Sequence, residues 1–383
     1  MNRSTTDNDR MFIDAVRNFA RGNLLDPDRR ADADESSMLN VLPAVADMGL
    51  MHLVVPDEFG GLGASMRLYA TLIEEISYAS PSVAVTLSVH SMVGKVLVRY
   101  ASDEMKRRLL PGWGRADSLA AFAISEADAG SDASSAKTAA VKVAGGYRVT
   151  GSKMWITNGR CGKWYLVLVR AKDRPSDEGK LTALVIDGQS NGIERDDIHG
   201  KMGIRGSETV VLHLNDVFVP ESNRLCAEGD GLKACLAALD EGRIGIAAQA
   251  AGIAAACLDE MTSYARQRMQ FGKPIGHFQA VQNMIADSAV ELESSRLLIQ
   301  RAAALIDAGQ KATRQAAMAK LYASEAANRI AYRAVQVHGG SGYIHECRVE
   351  QLYRDARITT IYEGTSEIQR HVIARELIHS GVE

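Results

Sequence analysis

The chain has 383 residues, more than one compact domain usually holds, so we expect two or three domains. Hydrophobic residues make up 46% of it and charged residues 24%, a balance that excludes an extended disordered chain. The 44 basic and 47 acidic residues give a formal net charge of −3, so the charge does not favour a nucleic-acid partner or an anionic membrane.

The cysteines and the apolar segments of the chain indicate its cellular location. Five scattered cysteines without a Cys-x-x-Cys pair argue against a disulfide framework or a metal site, and favour a reducing, cytoplasmic location. The N-terminal segment MNRSTTDNDRMF has no apolar run, so we infer no signal or transit peptide. The most apolar stretch, 244–258, is too short to span a bilayer, so we expect a buried helix and no membrane insertion.

The predicted elements follow the order α, β, α. Apolar residues at three- and four-residue spacing predict helices over 11–20, 38–50, 66–78 and 83–100. From residue 118 the period changes to two, and short β-rich runs lie at 122–124, 147–150, 164–169, 181–186 and 210–214. After about residue 231, long helical patterns return at 232–268, 279–308, 311–337, 349–357 and 365–379.

These elements predict an α+β fold of three domains. Residues 1–117 form an N-terminal α-helical domain, 118–228 a central antiparallel β-domain, and 229–383 a C-terminal bundle of long helices. No long helical pattern interrupts the central strands, which argues against alternating βαβ units. The chain also contains no Walker loop, no G-x-G-x-x-G after a strand and no G-x-S-x-G elbow. A redox enzyme with this sequence would hold its cofactor by means other than a Rossmann fold.

Four regions stand out against that background. They are AFAISEADAGSDASS at 121–135, GSKMWITNG at 151–159, ARQRMQFGKPIGHFQA at 265–280, and the tail pair QVHGGSGY at 336–343 and YRDARITTIYEGTSEIQR at 353–370. Together, in order and spacing, they resemble the acyl-CoA dehydrogenase family over essentially the whole chain. The resemblance implies FAD, a homo-oligomer that is a tetramer more often than a dimer, and α,β-dehydrogenation of an acyl-CoA thioester in fatty-acid metabolism. It also implies electron-transfer flavoprotein as the electron acceptor.

The resemblance assigns the catalytic base to Glu363 in the pattern I-Y-E-G-T. A base in a dry cleft would remove the α-proton while the β-hydrogen leaves as hydride to flavin N5. The family holds the developing enolate with the backbone N–H of that glutamate and a flavin hydroxyl. Gly364 beside it would let the substrate approach closely. Alternatively, Glu363 is an acid near the start of a helix, favoured there by the helix dipole.

Other family members carry the base on the first long C-terminal helix, just before an arginine. Here that segment reads LDEGR, so the position holds Gly242, and Glu241 would face another way round the helix. Asp240 and Arg243 match positions that contact the acyl-CoA; the alternative is a surface ion pair at i, i+3 spacing. Ser131 in A-G-S-D matches a contact to the CoA portion.

The cofactor contacts implied by the resemblance lie in all four regions. Trp155 matches the position beside the flavin ring, with a core aromatic as the alternative; Arg268 matches a pyrophosphate contact made from a neighbouring subunit. For Gly339 and Gly340 the alternative is a plain loop. The full set of expected FAD contacts is Phe122, Ile124, Ser125, Trp155, Ile156, Thr157, Arg268, Gln279, Gln336, Gly339, Gly340, Thr365 and Glu367.

Two departures from the family pattern concern this cofactor site. The usual T-E-P is Ser125–Glu126–Ala127 here, which keeps the hydroxyl but loses the fixed φ of proline. His338 stands where related chains often carry an aliphatic residue, and we assign it no role.

The segment LDEGRIGIAAQAAG is most similar to short-chain, butyryl-type members. Gln249 in that segment could form the floor of a shallow acyl pocket, and Thr359 matches a second small-pocket position. Alternatively, Gln249 satisfies the backbone of a neighbouring helix. We therefore expect short straight or branched acyl chains as substrates.

Three other functions stay open from the sequence. The same chemistry could act on an acyl or aminoacyl group of a carrier protein, since both donors present a pantetheine thioester. An acyl-CoA oxidase would usually be a longer chain. A DNA-binding branch of the superfamily uses a basic C-terminal region, whereas this chain ends HSGVE, so no nucleic acid is expected.

Overall fold

The computed structural model describes residues 6–381. The first helices are α1 (Asp7–Asn23), α2 (Leu25–Asp34), α3 (Leu42–Asp47), α4 (Met66–Ala79), α5 (Pro81–Tyr100) and α6 (Asp103–Leu109). Serine and threonine caps set several of the helix starts: the Oγ of Ser65, Ser80 and Ser102 each accepts a backbone N–H from the first turn. These starts are encoded locally, in the sequence that precedes each helix.

The helix predicted over 38–50 is wrong in extent. The structure has only α3 there, flanked by 3₁₀ turns at Leu39–Val41 and Leu50–His52. Pro43 sits in the first turn of α3, where its missing N–H is tolerated, and Gly49 then turns left-handed with φ of +76°. Because both residues interrupt helical hydrogen bonding, the apolar spacing alone overestimated the helix.

The middle of the chain forms a seven-stranded sheet. Its strands are β1 (Ala120–Ala123), β2 (Ala139–Val143), β3 (Gly146–Thr157), β4 (Trp164–Lys172), β5 (Lys180–Asp187), β6 (Ile193–Asp197) and β7 (Thr209–Pro220). The order is β1-β4-β2-β3-β7-β6, with β5 paired to β4. The inner faces of these strands share one apolar core, built on residues such as Tyr165, Val167 and Leu212.

The central sheet is antiparallel in most of its strand pairs, as expected, but two pairs are parallel. β1 and β2 both run parallel to β4, with Ala120 opposite Trp164 and Ala139 opposite Arg170, while the remaining pairs are antiparallel. The β2–β3 hairpin lies within the connection from β1 to β4, which is long enough to allow a parallel return. The sequence analysis also missed β2 and β6, whose alanines and charges hide the strand pattern.

The C-terminal part is a bundle of long helices with one small hairpin. It contains α7 (Gly231–Gln267), β8 (Met269–Gln270), β9 (Lys273–Pro274), α8 (Gln279–Asp307), α9 (Thr313–His338), α10 (Arg348–Ile358) and α11 (Ser366–Ser380). Close approach of α7 to α4 needs a glycine, since a Cβ on Gly252 would lie 2.4 Å from the carbonyl oxygen of Glu74. One core therefore runs through the N-terminal and C-terminal helices.

Helices α5 and α7 are each long and apolar enough to cross a membrane. Their most apolar windows are 89% and 83% buried inside the protein, which is typical of core helices. The N-terminal helices, the central sheet and the C-terminal bundle come into contact around the first halves of α5 and α7. Val85, Val89 and Ile246 there form an apolar cluster with Ile204, and Phe122 and Tyr362 pack against it. This cluster joins the end of β1 to the segment between α10 and α11.

Candidate active site

Glu363 lies in the turn between α10 and α11, in an unusual backbone conformation. Its φ is +52° and that of Gly364 is +86°, so two consecutive residues are left-handed. A non-glycine residue held there carries strain, which surrounding contacts must compensate. The Nε2 of Gln369 donates to the carbonyl oxygens of Glu363 and Gly364 at 3.1 and 2.8 Å, and Lys320 Nζ donates to the Gly364 carbonyl at 2.7 Å.

The carboxylate of Glu363 is poised as a base. Its Oε2 is buried and has no hydrogen-bond partner within residues 6–381. Burial raises the pKa of Glu363 to about 7, and the charges of Arg243 and Lys320 oppose this shift. The Glu363 backbone N–H likewise donates to no residue in the described range, so it is free to bind an oxygen in the cleft. A carboxyl group with a pKa near neutrality can take a proton from a substrate.

The helix-start alternative for Glu363 does not account for this side chain. The N-cap of α11 is Thr365, whose Oγ1 accepts the N–H of Ile368, and the acid in the first helical turn is Glu367. Thr365 and Glu367, both expected near the cofactor, thus lie at the start of α11. Hydrogen bonds from its own backbone N–H and from the Thr365 side chain lower the pKa of Glu367.

Gly242 on α7 faces the Glu363 carboxylate. A Cβ on Gly242 would lie 2.9 Å from Glu363 Oε2 and 2.9 Å from the sulfur of Met92. Glu241 points elsewhere, as the helical geometry predicted, and pairs with Lys95 at 2.7 Å. At the position of Gly242, α7 therefore places only backbone against the Glu363 carboxylate.

Asp240 and Arg243 form the ion pair that their i, i+3 spacing allows, with Nη1 and Oδ1 2.6 Å apart. The pair is not on the surface, because Arg243 is only 6% exposed and its Nε has no partner in the described part of the chain. Thr313 Oγ1 also donates to Asp240 at 2.6 Å. Burial lowers the pKa of Arg243 and raises that of Asp240. A buried arginine with a free N–H beside Glu363 suits contact with a polar ligand.

The end of β1 reaches the same region. Phe122 is half-buried and packs against the cluster that includes Tyr362, the residue before Glu363. Ile124 and Ser125 follow β1, and their carbonyl oxygens accept hydrogen bonds from Lys153 Nζ and from the Met154 N–H. The segment SEA, which departs from the family pattern, is thus tied to β3 at two points.

Trp155 is presented outward by a β-bulge in β3. The register against β7 slips between Lys153 and Ile156, Trp155 has a φ of +63°, and its side chain is 61% exposed. The core-aromatic alternative is therefore wrong. Ile156 points the other way into the sheet core at 1% exposure, which leaves only its backbone for a cofactor, while Thr157 is half-buried.

A buried ion pair anchors this bulge, and the sequence analysis did not single it out. Lys153 is fully buried, and its Nζ lies 2.8 Å from Glu126 Oε1. Burial opposes ionisation of Glu126, but hydrogen bonds from Lys153, Thr138 and the Lys137 N–H hold its pKa at about 2. The available signal was the strand period, since Lys153 occupies an inward position in phase with Tyr147 and Val149.

The other expected contacts lie on the surface of the single chain. Arg268 and Gln279 flank the β8–β9 hairpin, whose tip residue Phe271 is 92% exposed. A Cβ on Gly339 or Gly340 would meet no atom within 4 Å. Besides Trp155, the expected contacts that are exposed are Ser131, Arg268, Gln279, Gln336, Gly339, Gly340 and Glu367.

Gln249 forms a hydrogen bond to the backbone of a neighbouring helix, α5, which was the alternative interpretation of this residue. It is fully buried, its Nε2 donates to the Pro81 carbonyl at 2.8 Å, and its Oε1 accepts from the Tyr362 hydroxyl. Thr359 is also buried and donates to the Ala356 carbonyl. His338 is a structural residue that stacks on Tyr264 with ring centroids 4.3 Å apart.

These features fit a large flat cofactor. The exposed indole of Trp155 offers a stacking surface, and the open loop at Gly339 and Gly340 allows close backbone approach. Across residues 6–381 no group of three His, Cys, Asp or Glu side chains is placed to hold a metal ion. All five cysteines are free thiols.

Family models account for nearly all of the chain. The acyl-CoA dehydrogenase N-terminal, middle and C-terminal domains match residues 6–117, 121–217 and 229–378. The chain belongs to the acyl-CoA dehydrogenase family. It is accordingly an FAD-dependent oxidoreductase. An acyl-CoA dehydrogenase of Bacillus subtilis is 39% identical over 96% of this chain and 97% of its own length. The human mitochondrial short-chain specific acyl-CoA dehydrogenase is 39% identical over 97% of this chain and 90% of its own.

Solved structures agree with this assignment. Butyryl-CoA dehydrogenase from Megasphaera elsdenii has a TM-score of 0.94 and 34% identity, covering 99% of this chain and 100% of its own. A chain from work on the electron transferring flavoprotein of Acidaminococcus fermentans has a TM-score of 0.95 and 34% identity, with 99% and 100% coverage. The prolyl acyl carrier protein oxidase AnaB has a TM-score of 0.92 and 30% identity, with 98% and 100% coverage.

Proposed function

We propose that this protein oxidises a short-chain acyl-CoA, straight or branched, to the trans-2-enoyl-CoA, with Glu363 as the catalytic base. The observation that carries the proposal is the Glu363 Oε2, which is buried, unpartnered within the described residues and raised in pKa to about 7. An acidic α-hydrogen is the kind of substrate proton that such a base can remove.

The residues of the chain divide the reaction between them. Glu363 takes the α-proton, so the C–H electrons are left to form the new Cα–Cβ double bond. The β-hydrogen departs with its electron pair, and bound FAD supplies the acceptor at its flavin N5. The backbone N–H of Glu363 would stabilise negative charge on the thioester oxygen, since it has no other acceptor in the described chain. Gly364 takes the left-handed φ of +86° that this turn requires, and its backbone would border the acyl group beside the base.

The cofactor would be held by two sets of residues. The first set comes from the central sheet, where Trp155 offers its ring face. It comprises Phe122, Ile124, Ser125, Trp155, the backbone of Ile156, and Thr157. The second set is Arg268, Gln279, Gln336, Gly339, Gly340, Thr365 and Glu367. Because most of the second set is exposed on the single chain, we propose that Arg268, Gln279, Gln336 and the glycines serve the FAD of a neighbouring subunit.

The acyl-CoA contacts follow the same logic. Ser131 lies exposed after β1 and would bind the CoA portion, while Asp240 and Arg243 would contact the thioester ligand near the base. The buried Gln249 and the half-buried Tyr362, hydrogen-bonded to each other, would close the acyl pocket and limit chain length. The likeness to short-chain and butyryl-CoA dehydrogenases supports this preference.

The wider setting is also part of the proposal. We infer a homotetramer in the cytoplasm, with domain boundaries near residues 117 and 228 and a role in fatty-acid β-oxidation. Electron-transfer flavoprotein would be the electron acceptor, an inference that the likeness to a chain from work on that flavoprotein supports. Free cysteines are consistent with a reducing compartment.

A second candidate keeps the chemistry and changes the donor. The likeness to a prolyl acyl carrier protein oxidase favours a carrier-bound acyl or aminoacyl thioester as the alternative substrate. Both donors end in the same pantetheine arm, so the residues around Glu363 serve either. The surface that would distinguish a carrier-bound thioester from free acyl-CoA is the outer rim of the cleft, where a carrier protein would have to dock.

The test is the visible spectrum of the purified FAD protein before and after anaerobic addition of butyryl-CoA. Bleaching of the flavin, with a long-wavelength charge-transfer band, is the expected result. Glu363→Gln should bind FAD normally and bleach at least ~10²–10⁴-fold more slowly. The exposed Glu58→Gln is the matched control and should behave as the wild type. Absence of bleaching with free acyl-CoA, and bleaching with a loaded carrier protein, would establish the second candidate instead.

A further inference from the structure

Lys320 is a buried cation on the apolar face of α9. Its side chain is fully buried, and the residues one turn before and after it, Ala316, Ala317, Ala323 and Ser324, are buried as well. In the described part of the chain it forms no ion pair within 4 Å. Its Nζ donates instead to the carbonyl oxygen of Gly364, at 2.7 Å.

This placement costs stability if it serves packing alone. An ammonium group removed from water without a carboxylate partner is expensive, whereas an apolar side chain would fit among the surrounding alanines. Burial accordingly lowers the pKa of Lys320 to about 8. A role in the reaction explains the residue better than its contribution to the helix bundle does.

The hydrogen bond of Lys320 acts on the turn that carries the base. Glu363 and Gly364 are both left-handed, and the Gly364 carbonyl accepts from Lys320 and from Gln369. Gln369 also donates to the Glu363 carbonyl, so the carbonyl groups of two successive peptides, 363–364 and 364–365, are both held. With these peptides fixed, the Glu363 side chain projects toward Gly242 instead of relaxing into a right-handed turn.

The charge of Lys320 acts on the same group. Two cations face Glu363, Arg243 from α7 and Lys320 from α9, and both favour its ionised form. Arg243 is shared with Asp240, while Lys320 is influenced by Glu363 first and then by Arg243, Glu367 and Glu325. Among the acidic groups that act on Lys320, Glu363 has the largest electrostatic effect.

We propose that Lys320 is a positioning residue for the base: through the Gly364 carbonyl it fixes the left-handed turn that aims Glu363, and its charge keeps that carboxylate available for proton abstraction. The inference rests on the proposed function for its catalytic consequence. The positional and electrostatic parts are separable, because Gln369 donates to the same oxygen without carrying a charge.

The experiment compares Lys320→Met, Lys320→Arg and Gln369→Leu in the FAD-loaded enzyme, using the pH dependence of anaerobic bleaching by butyryl-CoA. Lys320→Met should slow bleaching ~10–100-fold, with the rising limb of the pH profile moved about one unit to higher pH. Gln369→Leu should slow bleaching without moving the limb. Lys320→Arg should keep the wild-type limb. An unmoved limb in Lys320→Met would overturn the proposal, and Lys320→Gln provides a second neutral variant if the methionine protein does not fold.

A second readout needs no turnover and separates this inference from the proposed function. The unfolding free energies of the wild type and Glu363→Gln are compared as a function of pH, with and without Lys320→Met. The difference in unfolding free energy between wild type and Glu363→Gln grows with pH and becomes constant above the pKa of Glu363 in the folded state. The pH at which it becomes constant therefore reports that pKa. It should lie about one unit higher in the Lys320→Met background. Equal levelling points in both backgrounds would refute the electrostatic role, even if butyryl-CoA proved not to be a substrate.

Discussion

Gly242 and Glu363, which are 121 positions apart, meet across the cleft so closely that no side chain fits between them. A Cβ on Gly242 would lie 2.9 Å from Glu363 Oε2, closer than nonbonded carbon and oxygen atoms approach. The arginine that follows, Arg243, stabilises the ionised carboxylate. The Glu363 carboxylate thus occupies the space that the absent side chain leaves on α7.

Replacing that glycine tests the relationship. Gly242→Ala should retain the fold and FAD but slow bleaching by acyl-CoA about 10–100-fold, equivalent to ~1.4–2.7 kcal/mol in activation free energy, because the carboxylate must move. Stopped-flow absorbance measures it. Gly22→Ala, on α1 with no atom within 4 Å of its Cβ, is the control and should have wild-type kinetics. Unchanged rates in both variants would show that the carboxylate is not constrained by α7.

The pH profile of the free enzyme should report Glu363. Because burial raises its pKa to about 7, the carboxyl group is protonated and inactive as a base below that pH. The second-order rate constant for bleaching should rise about tenfold per pH unit up to about 7 and then level off. A second-order rate constant that decreased as the pH was raised toward 7 would be incompatible with Glu363 as the base.

The same group makes stability depend on pH. A carboxyl whose pKa is raised by folding from 4.5 to about 7 stabilises the folded state in its protonated form; that contribution is complete below 4.5 and lost as pH rises through 7. Glu363→Gln is neutral throughout. It should therefore be more stable than the wild type above pH 7, with the difference closing toward pH 4.5, as denaturant unfolding can show. A pH-independent difference would contradict the raised pKa.

The buried pair of Lys153 and Glu126 should matter for both stability and cofactor binding. Lys153→Met leaves a nearly buried carboxylate without its cation, and should lower the free energy of unfolding by about 3 kcal/mol. FAD affinity should fall as well, because Lys153 holds the segment at Ile124 and adjoins the Trp155 bulge. Chemical denaturation and FAD titration measure the two effects.

An exposed ion pair provides the comparison. Lys137 and Asp128 are 74% and 77% exposed and 3.1 Å apart, so Lys137→Met should cost less than ~1 kcal/mol and leave FAD binding intact. If both lysine variants had the same small effect, the anchoring role of Lys153 would be wrong.

Gln249 distinguishes a pocket floor from a purely structural residue. Gln249→Ala leaves the Pro81 carbonyl and the Tyr362 hydroxyl without this partner, and should cost about 2 kcal/mol of stability. If the side chain also limits the acyl pocket, the rate ratio for hexanoyl-CoA over butyryl-CoA should increase. Gln267→Leu, at the exposed end of the same helix, should change neither quantity. If Gln249→Ala lost stability but kept the wild-type rate ratio, Gln249 would have a structural role and would not limit the acyl pocket.

The sequence by itself was sufficient for the order of elements and for the residue types of the chemistry. Helix periods, serine caps and the motif I-Y-E-G-T are local, so they can be recognised without the fold. The same local evidence failed where structure depends on distant partners. The parallel pairing of β1 and β2 with β4 depends on which strands lie next to each other in the folded sheet. The alanines of β2 and the charged residues of β6 do not form a recognisable strand pattern.

The tertiary structure decided what each side chain can do. The sequence could suggest Glu363 as the base, but its raised pKa arises from burial, and the space for its carboxylate depends on the absence of a Cβ at Gly242. Lys320 and Lys153 looked like ordinary helix and strand lysines until the fold buried them against a carbonyl and a carboxylate. Desolvation and charge–charge interactions depend on distances through space, and spacing along the chain does not supply those distances.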